Sequence, residues 1–342
     1  MKAVQLVAYG KPLEIREVPT PEPVGENVLV RIGGAGLCHS DLHIMEGKIP
    51  ILPYLPFTLG HENAGYVEKV GPNVKGFNVG DKVAVYGGWS EKVDRFVLKG
   101  EENLSDVTKW VGIGKPGGYA EYLLVPSYRY LLPLGNLDPV EAAPLTDAGL
   151  TPYRAIKKLL PHLYPDSTVV IIGAGGLGQF GVRYAKLLTP EVNVVTVDVN
   201  RRKLEIAREL GSDYVVDSTE KDPVKEVKEL TGGEGAQGVV DFVGSDVTMN
   251  QAYAMAGRQG TVVIVGLAGG TLKFSAGTVN EVSVTTSNWG TQLELSEVLA
   301  LARRGVIKAR VERIGFEQVN ETFERLAKGE VEGRAVLVPE LP

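Results

Sequence analysis

A single cysteine, Cys38, stands in the 342 residues. An internal disulfide is therefore excluded. A lone cysteine reads either as an inert core residue or as a thiol put to chemical use. The chain has only four histidines, and three of them, His39, His43 and His61, fall with Cys38 in the 24-residue window 38–61. Apolar runs of about 18 residues are also missing, so no membrane-spanning helix is expected. Long basic tracts are missing too, and with a net charge of −6 nucleic acid is not an expected partner. The opening stretch MKAVQLVAYGKPLEIREV lacks the apolar core of a signal peptide, which leads to a cytoplasmic expectation. No internal repeat or low-complexity tract stands out.

At about 100–200 residues per domain, the length suggests two domains. Apolar content of 44% and charged content of 23% are ordinary for a soluble globular protein. Up to about residue 145 the chain is rich in Gly, Pro and short β-branched runs such as ENVLVRI, GYVEKV and DKVAVY, separated by turn signals; this reads as a mainly β domain. Near residue 150 the pattern changes to alternating strand and helix. STVVIIG, NVVTVDV, YVVD, QGVVDFVG and TVVIVG read as strands, with helices between them, the first over Gly178 to Leu188 and another closed by Gly211. That order argues for βαβ units and a parallel sheet. The last 55 or so residues hold a helix, LSEVLALARRG, then short strands, and are expected to return to the first domain. The expected division is 1–148 with 287–342, and 149–286.

TVVIIGAGGLGQFG carries Gly173, Gly175 and Gly178 in the G-x-G-x-x-G arrangement. Gly-rich turns are common, but this one follows an apolar strand and opens a helix, the context that marks a dinucleotide site. Gly173 permits the tight turn, Gly175 lets the backbone approach a pyrophosphate, and Gly178 lets helix and strand pack closely. Gly176 and Leu177 complete the turn, and the helix N-terminus offers N–H groups to the phosphates. Asp198 lies 20 residues beyond Gly178. A carboxylate there accepts bonds from the adenosine ribose hydroxyls and repels a 2′-phosphate, which points to NAD. Arg201 and Arg202 weigh against this, since guanidinium groups can hold that phosphate; the plainer alternative for Asp198 is a sheet-edge carboxylate facing water.

Catalytic zinc takes three protein ligands and leaves a fourth position open. Cys38, in GLCHSDLH, offers a thiolate, and His61, in LGHENAGYVEKVGPNVKGFNVGDKVAV, an imidazole. With these motifs the sequence resembles the medium-chain, zinc-containing alcohol dehydrogenases over essentially its whole length, from GHENAGYVEKVG through GAGGLG to EGRAVLV. The resemblance implies an α/β protein: a β-rich, GroES-like catalytic domain plus a Rossmann doubly wound parallel sheet, with chemistry in the cleft between them. It implies that Cys38 and His61 bind zinc and that Glu62 is an alternative or neighbouring ligand. Many relatives carry a second cysteine where APLTDAGLTPYRAI has Asp147; some secondary alcohol dehydrogenases use Asp there. Thiolate plus carboxylate keeps the formal −2 of two thiolates, with a harder donor. The alternative for Asp147 is a helix N-cap.

Relatives also often carry a four-cysteine structural zinc lobe. Its positions here fall at Glu91, Asp94, Val97 and Ser105, and no thiol remains. One zinc per chain is expected, with the lobe ordered by packing of residues such as Val93, Phe96 and Leu98. The resemblance further implies a proton relay from substrate alcohol to Ser40, through the cofactor ribose, to His43; the bland reading has both exposed on a loop. It suggests cofactor contacts at Thr151, Lys203, Gly244, Val265 and Leu267, a pyrophosphate contact at Arg334, and a contact at His39. His162 reads as surface. Trp89, Trp110 and Ile113 are pocket candidates beside Ser40, bulky and apolar enough for small or medium alcohols and ketones. The implied activity is reversible hydride transfer between an alcohol and NAD, with a polyol or sugar dehydrogenase as the nearest alternative. A homodimer or homotetramer is the expected assembly.

Overall fold

The computed structural model describes residues 1–275 and 280–341. The chain forms two compact units, Met1–Leu150 with Trp289–Pro342, and Thr151–Asn288. These bounds lie two residues from the expected 148/149 and 286/287 junctions.

In the first unit a seven-stranded sheet runs in the order Val311–Ile314, Arg334–Leu337, Val28–Gly36, Glu62–Val70, Lys82–Val85, Leu131–Pro133, and Tyr122–Val125 also pairs with Val28–Gly36. The register of this sheet assembles the site. Val28–Gly36 and Glu62–Val70 are antiparallel with Gly36 opposite Glu62, so the residues just past the ladder, Cys38 and His61, leave from the same end. The C-terminal strand lies antiparallel on the other side of Val28–Gly36, with Val336 opposite Gly36, and Leu37 N–H donates to the Ala335 carbonyl at 2.9 Å. Arg334 is thereby carried to Cys38. A β-carbon at Gly36 would stand 2.0 Å from Glu62 Oε2; only glycine lets the Glu62 side chain lie across the neighbouring strand.

The mainly β region also contains a helix that periodicity missed, His39–Met45, with Cys38 at its N-cap. Seven residues are too few to form a helix unaided. Buried Asp41 and Ile44 anchor it to the unit, and Asp41 Oδ2 accepts from the Cys38 N–H at 3.1 Å.

The lobe at 90–109 corrects an expectation. Val93 and Leu98 are 79% and 76% exposed, so they do not pack it together. Polar bonds do, at the positions the absent cysteines would hold. Asp94 Oδ1 accepts from the Phe96 and Val97 N–H groups at 2.9 and 3.1 Å, its Oδ2 accepts from Ser105 Oγ at 2.7 Å, and Ser105 Oγ meets Ser90 Oγ at 2.9 Å. Glu91 pairs with Lys109 at 2.8 Å and with Lys115 at 3.5 Å. Asp94→Ala is expected to loosen this lobe selectively. Limited proteolysis should then cut between residues 90 and 109 several-fold faster than in the parent, with activity retained; unchanged cleavage would show that the bonds do not hold the lobe.

The second unit is a six-stranded parallel sheet ordered Tyr214–Asp217, Asn193–Asp198, Thr168–Ile172, Ala236–Asp241, Ala256–Ile264, Ser283–Thr286. Numbered along the chain, that is 3-2-1-4-5-6, the doubly wound Rossmann order. All five residues of Thr168–Ile172 are buried, as a central strand covered on both faces requires. Val170, Ile172, Val195, Val197, Val216, Val239 and Val262 form the centre of its core, each such burial stabilising by roughly 1.5–3 kcal/mol. The first helix after the glycine turn is Gly176–Leu188, two residues longer at its start than expected. Among the described residues no helix is long and apolar enough to cross a membrane.

Candidate metal centre and cofactor site

Four side chains from three stretches of the first unit converge: Cys38, the neighbours His61 and Glu62, and Asp147, with one donor atom of each within 4.8 Å of the others. Cys38 Sγ is 3.8 Å from Asp147 Oδ2, and His61 Nε2 is 3.4 Å from the same oxygen. Asp147 follows the short 3₁₀ turn Ala143–Thr146, so it closes a turn as well as facing the donors. Ser40 Oγ lies 3.3 Å from His61 Nε2. His43 is one helical turn along His39–Met45 from Ser40, hence on the same face. The loop reading of both residues is replaced by a helix. Nδ1 of His43 is buried without a hydrogen-bond partner.

Three residues without an assigned role in the sequence reading support the donors. Asp41, fully buried, has Oδ1 3.3 Å from His61 Nδ1. It thus bridges the Cys38 backbone and the His61 ring and leaves Nε2 facing Asp147, the arrangement that fixes ring orientation where histidine binds a metal. Tyr119 donates its hydroxyl to Asp41 Oδ2 at 2.6 Å. Trp289 lies edge-to-face on His61, and Trp110 on Trp289, with ring centroids 5.9 and 4.9 Å apart. Asp41 stands at the third helical position and accepts from the N-cap N–H of Cys38, the half of a capping box that an acidic residue three places after the N-cap supplies; that spacing could have pointed to Asp41.

Arg334 is buried in the first unit and ion-paired to Glu62. Its guanidinium shapes the electrostatics. Burial would raise the Cys38 thiol, but Arg334 and His61 outweigh burial and hold it below its ordinary value. Burial pushes Glu62 well above the carboxylate range, Arg334 opposing and the Cys38 and Asp147 charges adding. Burial disfavours charge on His61, but the Asp41 and Asp147 carboxylates override it and lift the imidazole well above its ordinary value. The donors therefore carry surplus negative charge. Arg334 faces Glu62 as its ion-pair partner, and a thiolate at Cys38 together with the Asp147 carboxylate would match one divalent cation. Glu62 Oε2 is buried without a hydrogen-bond partner. Sulfur, imidazole and carboxylate donors at this spacing fit zinc.

Trp89 donates its Nε1–H to the Tyr86 carbonyl at 2.7 Å and packs on Tyr130. It lines a cavity of about 380 Å³ with Val18, Pro19 and Leu123, to which none of the metal donors contributes. Of the tryptophans proposed for the pocket, Trp110 is the one joined to the donors, through Trp289. Ile113 is half-buried in the turn after Trp110. His39 and His162 are exposed.

In the second unit the glycine fingerprint has its expected geometry. Gly173 adopts φ +88°. A β-carbon at Gly178 would strike the Gly173 carbonyl at 1.8 Å, whereas one at Gly175 would meet nothing within 4 Å; that open space leaves room for the close approach that a pyrophosphate needs in such a turn. Gly175 is the N-cap of Gly176–Leu188, with Leu177 in its first turn. Asp198 ends the adjacent strand and is tied to this turn: Oδ2 accepts from the Ala174 N–H at 2.6 Å and Oδ1 from the Asn200 N–H at 2.8 Å. Arg201 pairs with Asp217 and Glu220, and Arg202 with Glu205, so both guanidiniums already have acidic partners. Gly244 and Val265 follow the C-terminal ends of the next two strands, and Leu267, 60% exposed, lies two residues further. Asp241, missed in the sequence, shapes that edge: its Oδ1 accepts from Val243 and Gly244 at 2.8 and 3.0 Å. Lys203 stands in the first turn of Arg201–Glu209 and Thr151 is buried in the first turn of Leu150–Leu159. Gly173, Asp198, Gly244 and Val265 thus line one edge of four neighbouring strands, where open α/β sheets bind dinucleotides.

Comparison with known proteins identifies the family. Residues 25–136 match the alcohol dehydrogenase GroES-like domain and residues 176–304 the zinc-binding dehydrogenase domain. An NAD-dependent alcohol dehydrogenase of Sulfurisphaera tokodaii is 41% identical over 99% of this chain and 100% of its own. The chain belongs to the medium-chain, zinc-containing alcohol dehydrogenase family. The crystal structure of the Aeropyrum pernix alcohol dehydrogenase superposes with a TM-score of 0.94 at 42% identity, covering 99% of this chain and 100% of that one. A D-arabinose 1-dehydrogenase (NADP⁺) of Saccharolobus solfataricus is 36% identical over 99% of this chain and 97% of its own. As a member of this family the chain is an oxidoreductase.

Proposed function

We propose that the chain interconverts small or medium alcohols and their aldehydes or ketones with NAD, using one catalytic zinc held by Cys38, His61 and Asp147. The observation that carries this reading is the convergence of those donors beside Ser40. When bound, zinc supplies Lewis acidity toward the substrate oxygen and NAD accepts or returns the hydride. The residues of this chain do the rest. Asp41 keeps the His61 ring turned so that Nε2 is the donor. Glu62 stays with Arg334, which leaves it outside the ligand set. The Ser40 hydroxyl takes the proton that the alcohol must lose, and His43, on the same helical face, hands it to solvent, a task suited to imidazole. Trp110 and Ile113 make the substrate's surroundings apolar. Asp198 binds the adenosine ribose, supported by the ion pairs that occupy Arg201 and Arg202, and Gly175, Gly176 and Leu177 receive the pyrophosphate. Thr151, Lys203, Gly244, Val265 and Leu267 complete the cofactor's surroundings.

The Asp94–Ser105 bonds stand where relatives place structural cysteines, which supports a single metal. Metal analysis is expected to return one zinc per chain, and two would contradict this. Alcohol-dependent production of NADH, read at 340 nm, should disappear with chelator and return with zinc. A panel of 2-alkanols should be turned over far better than sorbitol, glucose or D-arabinose; the reverse order would make this a polyol or sugar dehydrogenase. We further propose a homo-oligomer working in the cytoplasm. The edge strand Ser283–Thr286 has all four residues exposed and carries no charge or proline, an edge that isolated sheets normally protect.

A further inference from the structure

Trp289 touches both arms of the donor set without belonging to it. Its indole stands edge-to-face against the His61 imidazole, centroids 5.9 Å apart and planes at 79°. Its Nε1–H donates to the Thr146 carbonyl at 2.8 Å, the peptide that carries Asp147. Thr146 is tied at its other polar atom as well, since Oγ1 accepts from the Asn63 N–H at 3.1 Å and donates to the Ala143 carbonyl at 2.8 Å. The indole therefore completes a frame joining the strand after His61 to the turn before Asp147.

Two further features mark the position. Trp289 has φ +50°, a left-handed conformation that non-glycine residues seldom adopt. Such strain persists where the surroundings over-determine it, and it clusters at functional sites. The surroundings are also cut to receive the ring: a β-carbon at Gly87 would lie 2.4 Å from Trp289 Cη2. The far side is closed by Trp110, 4.9 Å away at 83°, and the residue is only 4% exposed.

We infer that Trp289 is a positioning residue of the metal centre, locking the tilt of the His61 ring and the peptide of Asp147 and so setting the separation of these two ligands. Asp41 already secures one edge of His61, and Trp289 limits the motion that remains. Asp147 depends on the indole more strongly. The indole holds the peptide that carries Asp147, and loss of its N–H leaves the buried Thr146 carbonyl without that donor. The inference rests on Cys38, His61 and Asp147 being the zinc ligands.

The test compares the full chain with Trp289→Phe, which keeps an aromatic ring against His61 but has no N–H, and with Trp289→Leu, which keeps neither. Three properties are read: the rate of zinc release to a chromogenic chelator, the visible spectrum of the cobalt-substituted protein, and NADH binding by fluorescence. Zinc release is expected to quicken about tenfold for Phe and about 100-fold for Leu, the range seen when a group behind a metal ligand is lost. The cobalt bands should move in both variants while NADH affinity stays as in the parent. Cooperative thermal unfolding of each metal-free variant serves as the folding check, and Phe is the milder change should Leu fail it. Parent-like zinc release and cobalt spectra in the Phe variant, with only the KM for alcohol altered, would overturn the inference and leave Trp289 a pocket wall. A parent chain that retains no zinc would instead overturn the ligand reading on which it rests.

Discussion

Asp147→Ala is expected to strip the chain of its zinc. The loss should exceed the roughly 10–100-fold weakening that follows removal of a group behind a ligand, because an oxygen donor and one of two compensating negative charges go together. Turnover should fall about 10³-fold or more, since Lewis-acid stabilisation is worth several kcal/mol and each 1.36 kcal/mol is tenfold in rate. Asp147→Cys restores the charge with a softer donor and should recover zinc. The competitor is Glu62, whose Oε2 is buried without a hydrogen-bond partner close to the other donors. If Asp147→Ala keeps full zinc and normal turnover, Glu62 completes the ligand set and Asp147 is only the residue that closes the Ala143–Thr146 turn.

Ser40→Ala should produce the second large effect, of a different kind. Proton transfer by a positioned side chain contributes about 10²–10⁴-fold, so turnover should drop within that range. Zinc content and NAD affinity should not change, because Ser40 Oγ approaches His61 Nε2 at 3.3 Å but lies outside the group of metal donors. Coupled loss of zinc would mean that the hydroxyl holds His61 in place and moves no proton. His43→Asn should leave most of the rate and shift its pH dependence.

Much of this was legible in the residues because local chemistry and final geometry coincide. The glycine turn is such a case: Gly173, Gly175 and Gly178 each have the spatial role that their spacing implies, since a strand-to-helix phosphate turn is built within one short segment. Cys38 and His61 were legible for a related reason, each sitting just beyond a strand end. The parts that escaped are those that depend on register between distant strands. Nothing near Arg334 in the sequence indicates that its strand pairs beside Val28–Gly36 with Val336 opposite Gly36, which brings the guanidinium to Glu62. Trp289 lies in no motif, and its meeting with His61 is a product of tertiary packing. The lobe at 90–109 misled for the opposite reason. Val93 and Leu98 have the composition of a small core, yet they stay in water, because hydrogen bonds from Asp94 and Ser105 shape so short a segment without burying apolar surface.

The ion pair between Glu62 and Arg334 spans 272 positions of the chain, and this orders events during synthesis. Domains generally fold as units as the chain emerges. The second unit is a single continuous stretch, Thr151–Asn288, and can close its sheet while the ribosome is still at work. The first unit cannot. Cys38, His61, Glu62 and Asp147 have all been translated long before their buried counter-charge, Arg334. Until then the donor cluster lacks both its guanidinium and the strand that covers Leu37. Metal loading in this sense waits for the strand Arg334–Leu337, and a nascent chain stalled between residues 288 and 334 would carry a complete second unit and an unfinished first one.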